Sequence, residues 1–331
     1  MKKMIILIPV APFEPLSIIT KSIESLSKLE NPNLDLNLLY IVDCPEGPDE
    51  RTRHLERKGI NHIIRQDTRG RRAGAINDGL ATIRRPDRTL DIDFIALFDV
   101  DSRPNADFIL KCINALENDP DAVIASGSRY ITNQDSGWSA KIIAAEYSFF
   151  EDIYQLFEKF DGFKQFNGLI GVIDARSFDK TLLNEHVYCE DLEFTQRIYL
   201  EGKKPVFADT RVGEQAPTTI KDLYNQRVRW LSGALDGLIE NMAYFPHANI
   251  SINLKLAWFI SLVLPFGAIL LTPFIPAYGL RLKSKCQTKI ISKTLGLIFH
   301  VWLITLCGKV ALLNRIRKKR TAWTDSSRSN I

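Results

Sequence analysis

Apolar positions follow two different spacings over the first 245 residues. Short continuous runs at 5–8, 38–42, 94–98 and 122–125, with a weaker one at 61–64, predict buried strands. Between them, Leu16, Ile19, Ile23 and Leu26 recur every three or four positions, the spacing of an amphipathic helix. Pro15 suits the first turn of that helix, where no backbone N–H is needed. Ile109, Cys112, Ile113 and Leu116 predict a second helix, and residues 191–200 a third. Strands alternating with helices predict an α/β fold with a mostly parallel sheet covered by helices. In such sheets ligands bind beyond the carboxyl ends of the strands. Asp43 and Asp99 each end a predicted strand there.

Two later stretches break this pattern. Residues 256–280 contain no charged side chain, and 290–313 contain only Lys293 and Lys309. Both exceed the roughly 20 apolar residues that cross a bilayer. Trp258 and Tyr278 near the ends of the first stretch are expected in an aromatic belt. Lys293 and Lys309 are expected to snorkel. Pro265, Pro273 and Pro276 interrupt the first stretch, so it is expected to be re-entrant or to lie partly along the interface.

Composition adds a location for the partner. The chain has 331 residues, 45% apolar and 25% charged, which excludes a disordered or collagen-like protein. The net charge is only +4, yet from Arg281 onward twelve Lys or Arg face one acid, Asp325. This basic end adjoins the apolar stretches, so anionic lipid is the expected partner and nucleic acid is not. The five cysteines form no CxxC pair, so no zinc site or disulfide framework is expected. The apolar run near the N-terminus stops at Pro9, too soon for a signal-peptide core, and reads as a first strand.

Four segments carry residues able to do chemistry. Asp99 and Asp101 stand one residue apart at a strand end, where they can share Mg²⁺ or Mn²⁺ with a diphosphate. The same placement also opens phosphatases of the haloacid-dehalogenase type, with Asp99 as nucleophile, although Ser102 and Arg103 follow where those enzymes carry Gly and Thr. In Arg69-Gly70-Arg71-Arg72-Ala73-Gly74-Ala75-Ile76-Asn77, arginines beside small residues before a helix can approach a phosphate, or can form a solvated basic loop. Glu190-Asp191 opens a helix, where exposed N–H groups favour an ionised carboxylate suited to a general base; capping acids look the same. Gln226, Arg229 and Trp230 share one helix face and can grip a diphosphate and stack on a sugar, or can form an amphipathic surface helix with the Trp in the core.

The order Asp43, Arg72, Asp99-Val100-Asp101, Glu190-Asp191, Gln226-Arg227-Val228-Arg229-Trp230 resembles that of family 2 glycosyltransferases. The similar branch is the membrane-attached one that includes cellulose, chitin and hyaluronan synthases. The resemblance covers roughly residues 4–235, and the tail Arg-Lys-Lys-Arg-Thr-Ala-Trp-Thr resembles a basic segment that often ends these enzymes. It implies a GT-A fold, Rossmann-like with a mixed, mostly parallel sheet, followed by a short helical membrane segment. The expected organisation is a catalytic domain at 1–245, interfacial and transmembrane helices at 246–313 and a basic cytosolic tail at 314–331. The implied reaction is an inverting, metal-dependent transfer from a nucleotide sugar, usually a UDP-sugar. Its acceptor would be a membrane-associated glycan or lipid at the cytosolic face.

By residue, the resemblance makes Asp191 the catalytic base. Asp43, Arg72 and Asp99 would bind the nucleotide sugar. Asp101, with Asp99, would hold Mn²⁺ or Mg²⁺. Glu190, Gln226, Arg229 and Trp230 would lie near the diphosphate and acceptor. Cys44 replaces the acid that often follows the first Asp, and Cys189 replaces a common Thr. Two apolar segments are too few for one chain to enclose a polymer channel, so processive synthesis would need a homo-oligomer or an export partner. A non-catalytic membrane scaffold is the remaining reading from another class.

Overall fold

The run around Ile5 becomes the central strand β1 (Lys2–Val10), whose residues alternate between two cores. A computed structural model describes residues 1–30, 33–85, 90–178, 182–277 and 290–318. Met4, Ile6, Ile8 and Val10 point to one face of the sheet, Ile5 and Leu7 to the other. This is the two-residue period of a strand buried on both sides.

On the first face lie α1 (Leu16–Leu26), α2 (Glu50–Arg57) and α4 (Phe108–Glu117), packed through Ile18, Ile19, Leu55 and Cys112. On the second lie α3 (Arg71–Ile83) and α6 (Glu190–Leu200), packed through Ile76, Leu80, Phe194 and Ile198. The helices expected from spacing at 16–26, 109–116 and 191–200 therefore form.

The sheet has eight strands in the order β3-β2-β1-β4-β7-β6-β8-β5. β2 (Leu34–Asp43), β3 (His62–Arg65) and β4 (Phe94–Leu97) run parallel with β1. The expected strands are thus present, and Asp43 ends β2 while Asp99 lies just beyond β4. The other half departs from parallel. β7 (Gly171–Asp174) is antiparallel to both β4 and β6 (Ala122–Ile131). β5 (Arg103–Pro104) is antiparallel to β8 (Lys204–Glu214). The β4–β7 register pairs Leu97 with Gly171. Residues leading into β7 are thereby placed beside residues leaving β4.

The chain divides into two compact units, one of residues 1–129 and 165–214, the other of 130–164 and 215–329. The second contains α5 (Trp138–Lys159), α7 (Ile220–Asn241), α8 (Ile252–Val263) and α9 (Ile290–Ile316). Thr219 and Ser251 start α7 and α8 by accepting the N–H of Asp222 (3.1 Å) and Leu254 (3.2 Å).

Two segments here, Ile252–Ala277 and Thr294–Ile316, have the length and composition to cross a membrane. α8 gives way at Leu264-Pro265 to a tighter 3₁₀ segment, Leu264–Phe274, with a non-helical Gly267. The prolines remove N–H donors and break the α-helical ladder, as expected. The N–H of Ile269 instead donates to Thr305 Oγ1 of α9 at 2.9 Å. One expectation is overturned. Trp258 is not in an aromatic belt: it is 1% exposed and stacks on Phe245 with ring centres 4.6 Å apart. Tyr278, the basic positions 281–289, Cys286 and the tail from 319 lie outside the described residues.

Candidate active site

Sheet topology assembles the first cluster. Neighbouring strand ends bring Asp43 of β2 opposite Arg65 of β3. Arg65 Nη1 donates to Asp43 Oδ1 at 2.7 Å, and Arg65 Nε donates to Asp78 Oδ2 of α3, also at 2.7 Å. Arg65 Nη2 closes the loop before α3 by donating to the carbonyl of Arg69 at 2.6 Å. That loop turns through left-handed Gly70 (φ 62°), where an added Cβ would collide with Glu185 at 2.6 Å. Gly74 is required more strictly, because its Cβ would fall 1.9 Å from the Arg69 carbonyl. Arg69 and Arg71 remain exposed, but the turn is fixed by Arg65 and by these two glycines. Arg69 pairs with Asp78 (2.6 Å) and with Glu185, which also accepts from Asn77 Nδ2 (2.9 Å).

Burial pushes the Asp43 carboxyl up to about 6, against the pull of Arg65. A raised folded-state value means that protonation favours the fold. This contribution is full below about 4, the unfolded value, and is lost as pH rises through about 6. In thermal melts from pH 4 to 7, wild type is expected to lose ground steadily against Asp43→Asn as pH rises. A gap independent of pH would contradict it.

The second cluster lies where β4 ends and β7 begins. Arg72, in the first turn of α3, donates from Nε to Asp99 Oδ1 at 2.6 Å and from Nη1 to Glu190 Oε1 at 3.1 Å. Its Nη2 donates to the Gly168 carbonyl at 2.5 Å. Burial works against the Arg72 charge, but Asp99 and Glu190 outweigh it and hold the guanidinium protonated. Glu190 is shifted upward by burial and by neighbouring Asp191, with Arg72 opposing.

Asp191 accepts from the Gly168 N–H at Oδ2 (2.6 Å) and from the Leu192 N–H at Oδ1 (2.8 Å). Gly168 has φ 61°, a left-handed turn that aims its N–H at Asp191 and its carbonyl at Arg72. An ionised carboxylate has about four acceptor positions, so these two bonds orient Asp191 without exhausting it.

Asp99 also starts a turn, its N–H donating to Ser102 Oγ at 3.0 Å and its carbonyl accepting the Ser102 N–H at 2.8 Å. Asp101 within that turn is buried. Among the described residues no three His, Cys, Asp or Glu side chains gather as a complete ligand set. The hard oxygens of Asp99 and Asp101 still fit Mg²⁺ or Mn²⁺, ions that take one or two carboxylates and complete their shell with substrate phosphates.

The structure thus joins Arg72 directly to Asp99 and Glu190, links it to Asp191 through Gly168, and sets Asp43 on Arg65 at neighbouring strand ends. Gln226, Arg229 and Trp230 lie on α7 in the second unit. Sequence reading missed Gly168 and Arg65. Gly168 lies in Asn-Gly, a turn signal, and Arg65 ends a predicted strand in the way Asp43 does.

The model of the family described as Glycosyl transferase family group 2 matches residues 94–313. The chain belongs to that family. Among curated relatives of this family 2 chain is a probable glucomannan 4-beta-mannosyltransferase 4 of Oryza sativa subsp. japonica. It is 30% identical over 193 residues, covering 56% of this chain and 34% of the relative. Glucomannan 4-beta-mannosyltransferase 7 of Arabidopsis thaliana is 23% identical over 267 residues, covering 77% and 47%. The chain therefore spans a third to a half of the length of these relatives.

A solved mannosyltransferase from Pyrobaculum calidifontis, in complex with GDP-Man and Mn²⁺, superposes with a TM-score of 0.64 at 12% identity, over 96% of this chain and 88% of that one. The crystal structure of S. aureus TarS gives 0.52 at 13% identity, over 95% and 55%. The fold is GT-A-like, and the family model makes the chain a family 2 glycosyltransferase. They do not favour the phosphatase reading of Asp99 or the non-catalytic scaffold.

Proposed function

We propose that this family 2 glycosyltransferase moves a hexose from a nucleoside diphosphate sugar to a membrane-associated glycan or lipid, with inversion. The observation that carries the reading is the convergence on Gly168. Its N–H orients Asp191 while its carbonyl and Asp99 orient Arg72, so a base and a cation are held side by side beyond the strand ends. Asp191 takes the proton of the attacking hydroxyl. Arg72 lies against the diphosphate and offsets charge developing on it as the bond to the sugar breaks. Asp43 and Arg65 receive the nucleoside. Glu190, Gln226, Arg229 and Trp230 contribute the diphosphate and acceptor side.

Asp99 and Asp101 would hold Mn²⁺ or Mg²⁺. Such an ion, when bound, supplies positive charge beside the leaving group. The relatives are named mannosyltransferases, and the Pyrobaculum enzyme holds GDP-Man, so GDP-mannose comes first among donors to test, alongside the UDP-sugars implied by the sequence resemblance.

Exposed apolar side chains support membrane attachment. Leu256, Phe259 and Ile260 on α8, and Leu295, Trp302, Leu306 and Leu313 on α9, are each more than a third exposed. Residues 1–245 form the catalytic part in this reading and 246–313 the attaching part. Arg315 in the last turn of α9, with Arg317 and Lys318 after it, favours a cytosolic placement by the positive-inside rule.

The test is nucleoside diphosphate release by detergent-purified protein across GDP-mannose and UDP-sugars, with Mn²⁺, Mg²⁺ or EDTA. Release from one donor, lost in EDTA, is the expected result. Undiminished release in EDTA would remove the metal from the reading. Neither release nor calorimetric binding of any donor would sink it.

A further inference from the structure

Three ionisable side chains from three helices meet out of reach of solvent in the second unit. Glu146 of α5, Arg227 of α7 and His300 of α9 are 1%, 0% and 5% exposed. Arg227 Nη2 donates to Glu146 Oε2 at 2.5 Å, and His300 Nε2 lies 3.2 Å from Glu146 Oε1. Burial works to raise the Glu146 carboxyl, but the charges of Arg227 and His300 prevail and hold it below the usual range.

The other side of the same guanidinium meets the Gln226–Trp230 segment. Its central carbon stands 4.2 Å from the centre of the Trp230 ring, and Nη1 donates to Gln226 Oε1 at 3.2 Å. Arg227 thus contacts two of the four side chains assigned to the diphosphate and acceptor side. A buried ion pair adds little net stability, because desolvation offsets its attraction, and apolar isosteres often replace it at no cost. Its fixed geometry is what apolar packing does not reproduce.

We propose that Glu146 and His300 are positioning residues, holding Arg227 so that it fixes the Trp230 ring and the Gln226 amide for the transfer reaction. The effect on turnover rests on the transferase reading; the placement of the ring does not. The link runs from α9, one of the two candidate membrane segments, into the helix that bears the motif.

The test uses the full chain in nanodiscs, labelled with 5-fluorotryptophan. Fluorine NMR follows the five tryptophans, and loss of one signal in Trp230→Phe assigns Trp230. The decisive variant replaces the cluster with apolar isosteres: Glu146→Met, Arg227→Met and His300→Leu together. It is expected to remain folded, with the Trp230 signal shifted or broadened and the other four in place. Its kcat should fall by about tenfold or more, with the donor KM within about twofold, as misplacement of a reacting group requires.

His300→Gln, which keeps an N–H donor, is expected to keep the Trp230 signal. An unchanged Trp230 signal in the folded triple variant would overturn the proposal. So would displacement of all five signals together in both variants, since the cluster would then hold the fold rather than the ring. Wild type that shows no transfer while its Trp230 signal obeys these expectations would refute the transferase reading alone.

Discussion

Asp191→Asn is expected to lower kcat by about three to four orders of magnitude while nucleotide-sugar binding stays within about twofold. The amide keeps one acceptor oxygen, which can take the Gly168 N–H and retain the turn, while its NH2 replaces the oxygen that accepted from Leu192. What is lost is the charged oxygen able to receive a proton. Single-turnover assays on the donor identified by the panel measure the first quantity, and calorimetry the second. Equal losses of binding and turnover would make Asp191 a structural cap. Retained turnover would exclude it as the base.

Arg72→Met is the second large effect, and it acts on both stability and activity. Methionine fills part of the volume but leaves Asp99, Glu190 and the Gly168 carbonyl without the guanidinium that joins them. Breaking such a half-buried network is expected to cost on the order of 3 kcal/mol, read from denaturant melts. Nucleoside diphosphate release should fall by at least about a hundredfold, because the cation facing the leaving group is gone. Adding Glu190→Gln removes one of the stranded charges, so the double variant should regain part of the lost stability but none of the activity. A double variant whose stability loss is the simple sum would show that Arg72 and Glu190 do not form one network.

The readable parts of this site share a physical origin. A strand buried on both faces must be apolar throughout, so β1, β2 and β4 announce themselves, and the first polar residue after such a run marks the strand end. That is why Asp43, Asp99 and the helix start at Glu190 were visible from residue order alone. The broken first apolar stretch was visible for a related reason, since proline removes a donor wherever it stands. The outcome at Trp258 differed because an indole beside an apolar run fits a membrane interface and a buried stack equally well. Only its stacking on Phe245 decided between them.

His300 stood out in principle as an ionisable residue inside an apolar stretch. Its partners could not be read, because Glu146 and Arg227 look like ordinary charges on amphipathic helices until three helices pack. Gly168 marks the limit most sharply. Its contribution is a backbone N–H and a backbone carbonyl, groups that nearly every residue carries and no side-chain pattern records. Local pattern determined β1, β2, β3, β4 and β6, the helices α1, α4 and α6, and the acids at their ends; β5, β7 and β8 were not legible in it. The antiparallel insertion of β7 beside β4 decided which amide and which carbonyl those acids and Arg72 would meet, because strand register is set by long-range pairing rather than by the residues being paired.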